Sequence, residues 1–99
     1  MSVKDKVAII GVGYTKFGEH WDKDAEDLLI EAVYEALEDA GITLQDVQAG
    51  WVGIFYDFTG CGGSTVSDIL KWFGRPITRV ENYCASGMDA FRNACFAIA

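Results

Sequence analysis

Positive charge is scarce in this sequence: eight Lys and Arg stand against fifteen Asp and Glu, giving a formal charge of -7 over 99 residues. Nucleic acids and anionic membrane surfaces are drawn to basic patches, and this composition supplies none. Long apolar runs are missing too. None approaches the ~20 residues that a bilayer span requires. The start, Met1-Ser2-Val3-Lys4-Asp5-Lys6, leads into a short run ended by Gly11 instead of the apolar core and cleavage site of a signal peptide. The expected location is the cytoplasm. Cysteine is limited to Cys61, Cys84 and Cys95, an odd number without C-x-x-C spacing. That speaks against a disulfide framework or a zinc knuckle, so no metal site is expected and the thiols read as reduced. The one histidine, His20, precedes the first helix pattern and reads as a surface or partly packed residue without a catalytic role.

What is present is apolar: 51% of the residues are hydrophobic, enough to supply the core of one small domain and no second one. The run Lys6-Val7-Ala8-Ile9-Ile10-Gly11-Val12-Gly13 is continuous, rich in β-branched residues and closed by glycines, the pattern of a strand covered on both faces. Gly11-Val12-Gly13 begins a dinucleotide fingerprint, but its third glycine would fall at Lys16 and no helix opens directly from the turn. Gly13 to Gly18 has the spacing of a phosphate-binding loop, with Glu19 where the lysine must stand. Neither nucleotide motif is encoded.

A clear helix follows, with Ala25, Leu28, Leu29, Ala32, Val33, Ala36, Leu37 and Ala40 on one face. Asp22 or Asp24 can cap its start and Gly41 can end it, while Glu31, Glu35, Glu38 and Asp39 read as its solvated face. Trp51-Val52-Gly53-Ile54-Phe55-Tyr56 predicts a second strand. The glycine-rich stretch from Asp57 to Thr65 reads as a loop, either an anion cradle or a flexible approach to a helix capped by Ser64 or Thr65. That helix carries Val66, Ile69, Leu70 and Phe73 and is expected to end at Gly74 and Pro76.

Ile77 to Glu81 predicts a third strand, and Ala85 onward a third helix whose small residues Gly87, Ala90 and Ala94 suit burial. The alternation βαβαβα defines an α/β fold, a parallel sheet with crossover helices. Phe91 to Ala99 is still an apolar helix pattern without a Gly, Pro or polar cap, so the chain is expected to be one part of a larger whole.

In an open parallel sheet, sites collect beyond the carboxyl ends of strands, and Cys84 falls at such an end, where a helix begins. Unpaired amides and the positive helix end favour a thiolate there, and the N–H of Cys84 or Ala85 can donate to an oxyanion. The residues alone leave two readings open, a nucleophile or a small residue filling space at a tight turn. Cys95, among Phe91, Phe96 and Ile98, reads as a buried hydrophobe, and Cys61 as a bystander in its loop.

Val80-Glu81-Asn82-Tyr83-Cys84-Ala85-Ser86-Gly87 resembles the nucleophile motif of the thiolase superfamily. Val7 to Gly18 is similar to the start of the sterol-carrier-protein-type and archaeal-type thiolases, and Ala36 to Ile42 with Asp46-Val47 to their first helix and its exit. The resemblance covers essentially the whole chain. It implies that residues 1–99 are the N-terminal part of a thiolase-like domain, ending within the cysteine-bearing helix. It further implies an acyl-CoA C-acyltransferase working by Claisen condensation or thiolytic cleavage of a 3-oxoacyl-CoA, with Cys84 as acyl carrier and coenzyme A as co-substrate. The activating histidine, a second cysteine and much of the coenzyme A pocket would come from sequence beyond these residues, so the 99 residues alone are expected to be inactive. A homodimer and a small zinc-binding OB-fold partner also follow from the resemblance. The alternatives are an aldolase or decarboxylating condensing enzyme on the same fold, or a non-catalytic subunit.

Overall fold

A computed structural model of the chain describes residues 2–55 and 62–99. Its elements are α1 (Ala25–Ala40), a 3-10 turn (Leu44–Asp46), β1 (Gly50–Gly53), α2 (Gly63–Leu70), β2 (Ile77–Val80) and α3 (Ser86–Ile98). The strands β1 and β2 pair in parallel, from Gly50 opposite Ile77 to Gly53 opposite Val80. Parallel neighbours need a crossover, which α2 provides, so the α/β class expected from the alternation is the class observed.

The longest helix forms for local reasons. Asp24 accepts the Asp27 N–H at 2.9 Å while the Asp27 carboxylate accepts the Asp24 N–H at 3.1 Å, a reciprocal cap that satisfies amides with no partner in the helix. At the other end Gly41, at φ 71°, reverses the chain and donates to the Glu38 carbonyl at 3.1 Å, with Ile42 donating to Leu37 at 3.2 Å. The apolar face of α1 supplies Leu29, Ile30 and Val33 to a core built on Val66, Leu70 and Trp72, joined by Val52 and Ile77 from the sheet.

Helix α2 departs from expectation at both ends. Gly62, not Ser64 or Thr65, is its N-cap, and it makes no side-chain cap. The first turn lies so close to β2 that a Cβ at Gly63 would come within 2.8 Å of the Ile77 carbonyl oxygen, so the glycine belongs inside the helix. The helix stops at Leu70, before Gly74, because Lys71 turns left-handed at φ 52° and sends Trp72 inward. Trp72 is buried and Phe73, the residue favoured by helical spacing, is exposed.

The run at residues 7–16 joins no ladder among the described residues. It lies against α1, with Gly11, Gly13 and Thr15 half-buried and Val12, Tyr14 and Lys16 exposed, a period of two without a sheet. A Cβ at Gly11 would sit 2.5 Å from the Ala36 carbonyl oxygen, and one at Gly13 would overlap that of Ala32. These glycines serve close packing on a helix. The Val12 N–H is taken by the Asp39 carboxylate at 2.9 Å and that of Tyr14 by Glu35 at 3.4 Å, donors that a sheet would otherwise use. Two carboxylates read as solvated charge therefore tie this segment to α1.

Candidate active site

The chain leaves β2 at Val80 and enters α3 at Ser86 through five residues that carry Cys84. Tyr83 adopts a left-handed conformation at φ 51°, which costs a residue with a Cβ about 1–2 kcal/mol. Several hydrogen bonds hold it there. Its N–H donates to the Glu81 carboxylate at 2.6 Å, and its carbonyl accepts the Ser86 N–H at 3.2 Å and the Ser86 hydroxyl at 2.7 Å. One residue earlier, the Asn82 N–H donates to Ser86 Oγ at 2.9 Å and its carbonyl accepts the Ala85 N–H at 3.0 Å. Cys84 stands at the crest of this turn and is exposed.

Two features refine the expectations for the thiol. Helix α3 begins at Ser86 with Ala85 as its N-cap, so Cys84 lies just outside the helix instead of opening it. Ala85 has spent its N–H on Asn82, which leaves the Cys84 N–H as the candidate oxyanion donor of the two. The support beneath the turn comes from β1: a Cβ at Gly53 would overlap the Ser86 carbonyl, so that glycine allows α3 to start directly on the strand. Beside it, the rings of Phe55 and Tyr83 pack at 5.6 Å between centroids, tilted by 54°.

The remaining candidates are elsewhere. Cys95 is half-buried on α3, beside Met88, Phe91 and Phe96 around a cavity of about 450 Å3. His20 is half-buried and its ring contacts the Lys16 carbonyl in the segment ahead of α1. Cys61, Tyr56 and much of the glycine-rich loop lie outside the described residues. Among the described residues no cluster of three or more His, Cys, Asp or Glu side chains is arranged to hold a metal, and no helix is long and apolar enough to cross a membrane. The sequence placed Tyr83 and Ser86 in the motif around Cys84 without giving them a role, and gave Gly53 no part beside it. The one available signal was a serine two residues after the cysteine, spaced to reach back over the turn.

No family model matches the chain. Curated proteins do. Over 98 residues, 94% of this chain, it is 41% identical to an acetyl-CoA acetyltransferase of Methanothermobacter thermautotrophicus. Over 97 residues it is 38% identical to the acetyl-CoA acetyltransferase of Methanocaldococcus jannaschii. The match to sterol carrier protein 2 of Gallus gallus is 39% over 87 residues, 86% of this chain and 16% of that protein. The chain is thus similar, along nearly all its length, to proteins named acetyl-CoA acetyltransferase and, over 86% of it, to sterol carrier protein 2. It spans about a quarter of the length of the two acetyltransferases, covering 25% of each.

Proposed function

We propose that this chain is the cysteine-bearing part of a thiolase-like acyltransferase acting on acyl-CoA thioesters. The observation that carries the proposal is the exposed Cys84 thiol on a braced turn at the carboxyl end of a parallel strand. In the reaction, the Cys84 sulfur bonds to the thioester carbonyl carbon and the carbon–sulfur bond to coenzyme A breaks. The proton lost by the thiol and the one gained by the departing coenzyme A pass through an acid/base partner outside these residues. The acyl group then moves to a carbanion, forming a carbon–carbon bond; in the thiolytic direction the Cys84 sulfur instead bonds to the 3-oxo carbon of a 3-oxoacyl-CoA, the C2–C3 bond breaks, its electron pair stays on C2 and is protonated there, and coenzyme A then takes the acyl group from the sulfur. The names of the two archaeal relatives support acetyl-CoA as the first substrate to try.

The same reading makes residues 1–99 the N-terminal part of a larger thiolase-like domain in a cytoplasmic homodimer, with a zinc-binding OB-fold protein as a possible partner. The exposed apolar side chains of Ile9, Ile10, Met88 and Ile98 are suited to such contacts. The test is to incubate the full-length protein with radiolabelled acetyl-CoA, then map the labelled thioester and, separately, the iodoacetamide adduct. Label on Cys84, absent in Cys84→Ser, is expected. Label on Cys61 or Cys95 with Cys84 unmodified would refute the assignment, and a C84A variant with full activity would favour the aldolase alternative.

A further inference from the structure

We propose that Ser86 is a positioning residue for Cys84, holding through its buried hydroxyl the turn that presents the thiol; this rests on the acyl-enzyme reading above. Among the described residues Ser86 is the one buried polar side chain, at 4% exposure. A serine at the N-cap turns its oxygen onto the first amides of the helix, but here Ala85 holds that position and Ser86 follows it. Ser86 faces the other way. Its Oγ donates to the Tyr83 carbonyl at 2.7 Å and accepts the Asn82 N–H at 2.9 Å, so its donor and an acceptor site both go to the residues just before Cys84.

Each of its neighbours makes that arrangement specific. Tyr83 is in a left-handed conformation that persists only where the surroundings over-determine it, and its carbonyl is held by both the hydroxyl and the N–H of Ser86. Ser86 is itself seated on β1, since no side chain but that of glycine fits at position 53 beneath its carbonyl. A line of contact therefore runs from the end of β1 through Ser86 to the turn, and Cys84 moves with it. Acyl transfer needs the sulfur within a narrow range of distance and angle to the thioester carbonyl, and a misplacement of about 1 Å can slow such a reaction about 100-fold. Alkylation by a small, freely diffusing reagent imposes no comparable constraint.

The experiment compares wild type, Ser86→Ala and Ser86→Thr in the full-length protein. Acylation of Cys84 by acetyl-CoA is measured in single turnover and alkylation of Cys84 by iodoacetamide beside it, both per folded molecule as judged by circular dichroism. Acylation is expected to fall about 10- to 100-fold in S86A, alkylation to stay close to wild type, and S86T, which keeps the hydroxyl, to regain most of the acylation rate. Should S86A not fold, Ser86→Val is compared with S86T instead, two side chains of matching shape that differ in the hydroxyl. Equal acylation in the hydroxyl-free variant and wild type overturns the positioning role, as does a parallel loss of acylation and alkylation that S86T does not restore. A wild-type protein that alkylates at Cys84 but is never acylated defeats the acyl-enzyme reading itself, and the inference with it.

Discussion

At the residue scale, Gly53 and Tyr83 show how little space the candidate site leaves for change. Gly53 lies where a Cβ would overlap the carbonyl of Ser86 and crowd the Gly87 nitrogen at 2.8 Å. Backbone atoms cannot swing aside as a side chain can, so Gly53→Ala is expected to lower stability by about 1–3 kcal/mol. It should also slow Cys84 acylation in the full-length protein, because the strain falls on the residue that holds the turn. Urea denaturation of the variant checks the first effect; an unchanged midpoint would mean that β1 and α3 can separate freely. The place of Cys84, between a strand end and a helix start, was legible in the sequence because local patterns mark both elements. Ser86 and Gly53 were not, since their roles depend on which strand end meets which helix start, a long-range contact that local spacing does not encode.

At the element scale, α1 was readable almost residue by residue because caps and periodicity are local. Asp24→Ala removes one half of the reciprocal cap and is expected to cost about 1 kcal/mol, read as a lowered urea midpoint. A surface pair decorates the same helix: Lys23 Nζ lies 2.8 Å from Glu31, and that hydrogen bond raises the lysine pKa above its ordinary value of 10.5. A raised folded-state pKa contributes stability that is fully present below the unfolded value and is lost as pH rises through the folded one. Its loss is therefore confined to strongly alkaline solution. An NMR titration of the Lys23 side chain should show the shift, and Glu31→Gln should reduce it by removing its largest cause. The elements that departed from expectation did so through tertiary contacts. Helix α2 moved its start to meet β2 and ended early to bury Trp72, whereas residues 11–16 kept a strand's alternation while giving two N–H groups to Asp39 and Glu35. Composition and periodicity specify that such a run is extended and apolar, but not which donors and acceptors will meet it.

At the scale of the whole molecule, the surface is too large for the mass. A compact monomer of 10.9 kDa exposes about 5,600 Å2 by the usual scaling, whereas this chain exposes 7188 Å2. The radius of gyration, 13.7 Å, likewise exceeds the ~12.6 Å expected for its length. The excess area is about twice the ~800 Å2 that each partner buries in a standard protein interface. Large apolar side chains contribute to it: Phe17 and Trp21 are about nine-tenths exposed, and Ile9, Ile10, Met88 and Ile98 about two-thirds or more. Apolar surface on this scale calls for a cover, from a second copy or from further sequence of the same domain. Residues 1–99 produced alone are thus expected to bind ANS, to unfold over a broad temperature range and to self-associate at micromolar concentration. The full-length protein should do none of these. A monomeric 1–99 species that melts sharply and leaves ANS dark would show that a core whose buried apolar members among the described residues are Leu37, Val66, Leu70, Trp72 and Ala90 suffices to hold the fold. The exposed face of α3 would then have to be explained by something other than a missing neighbour.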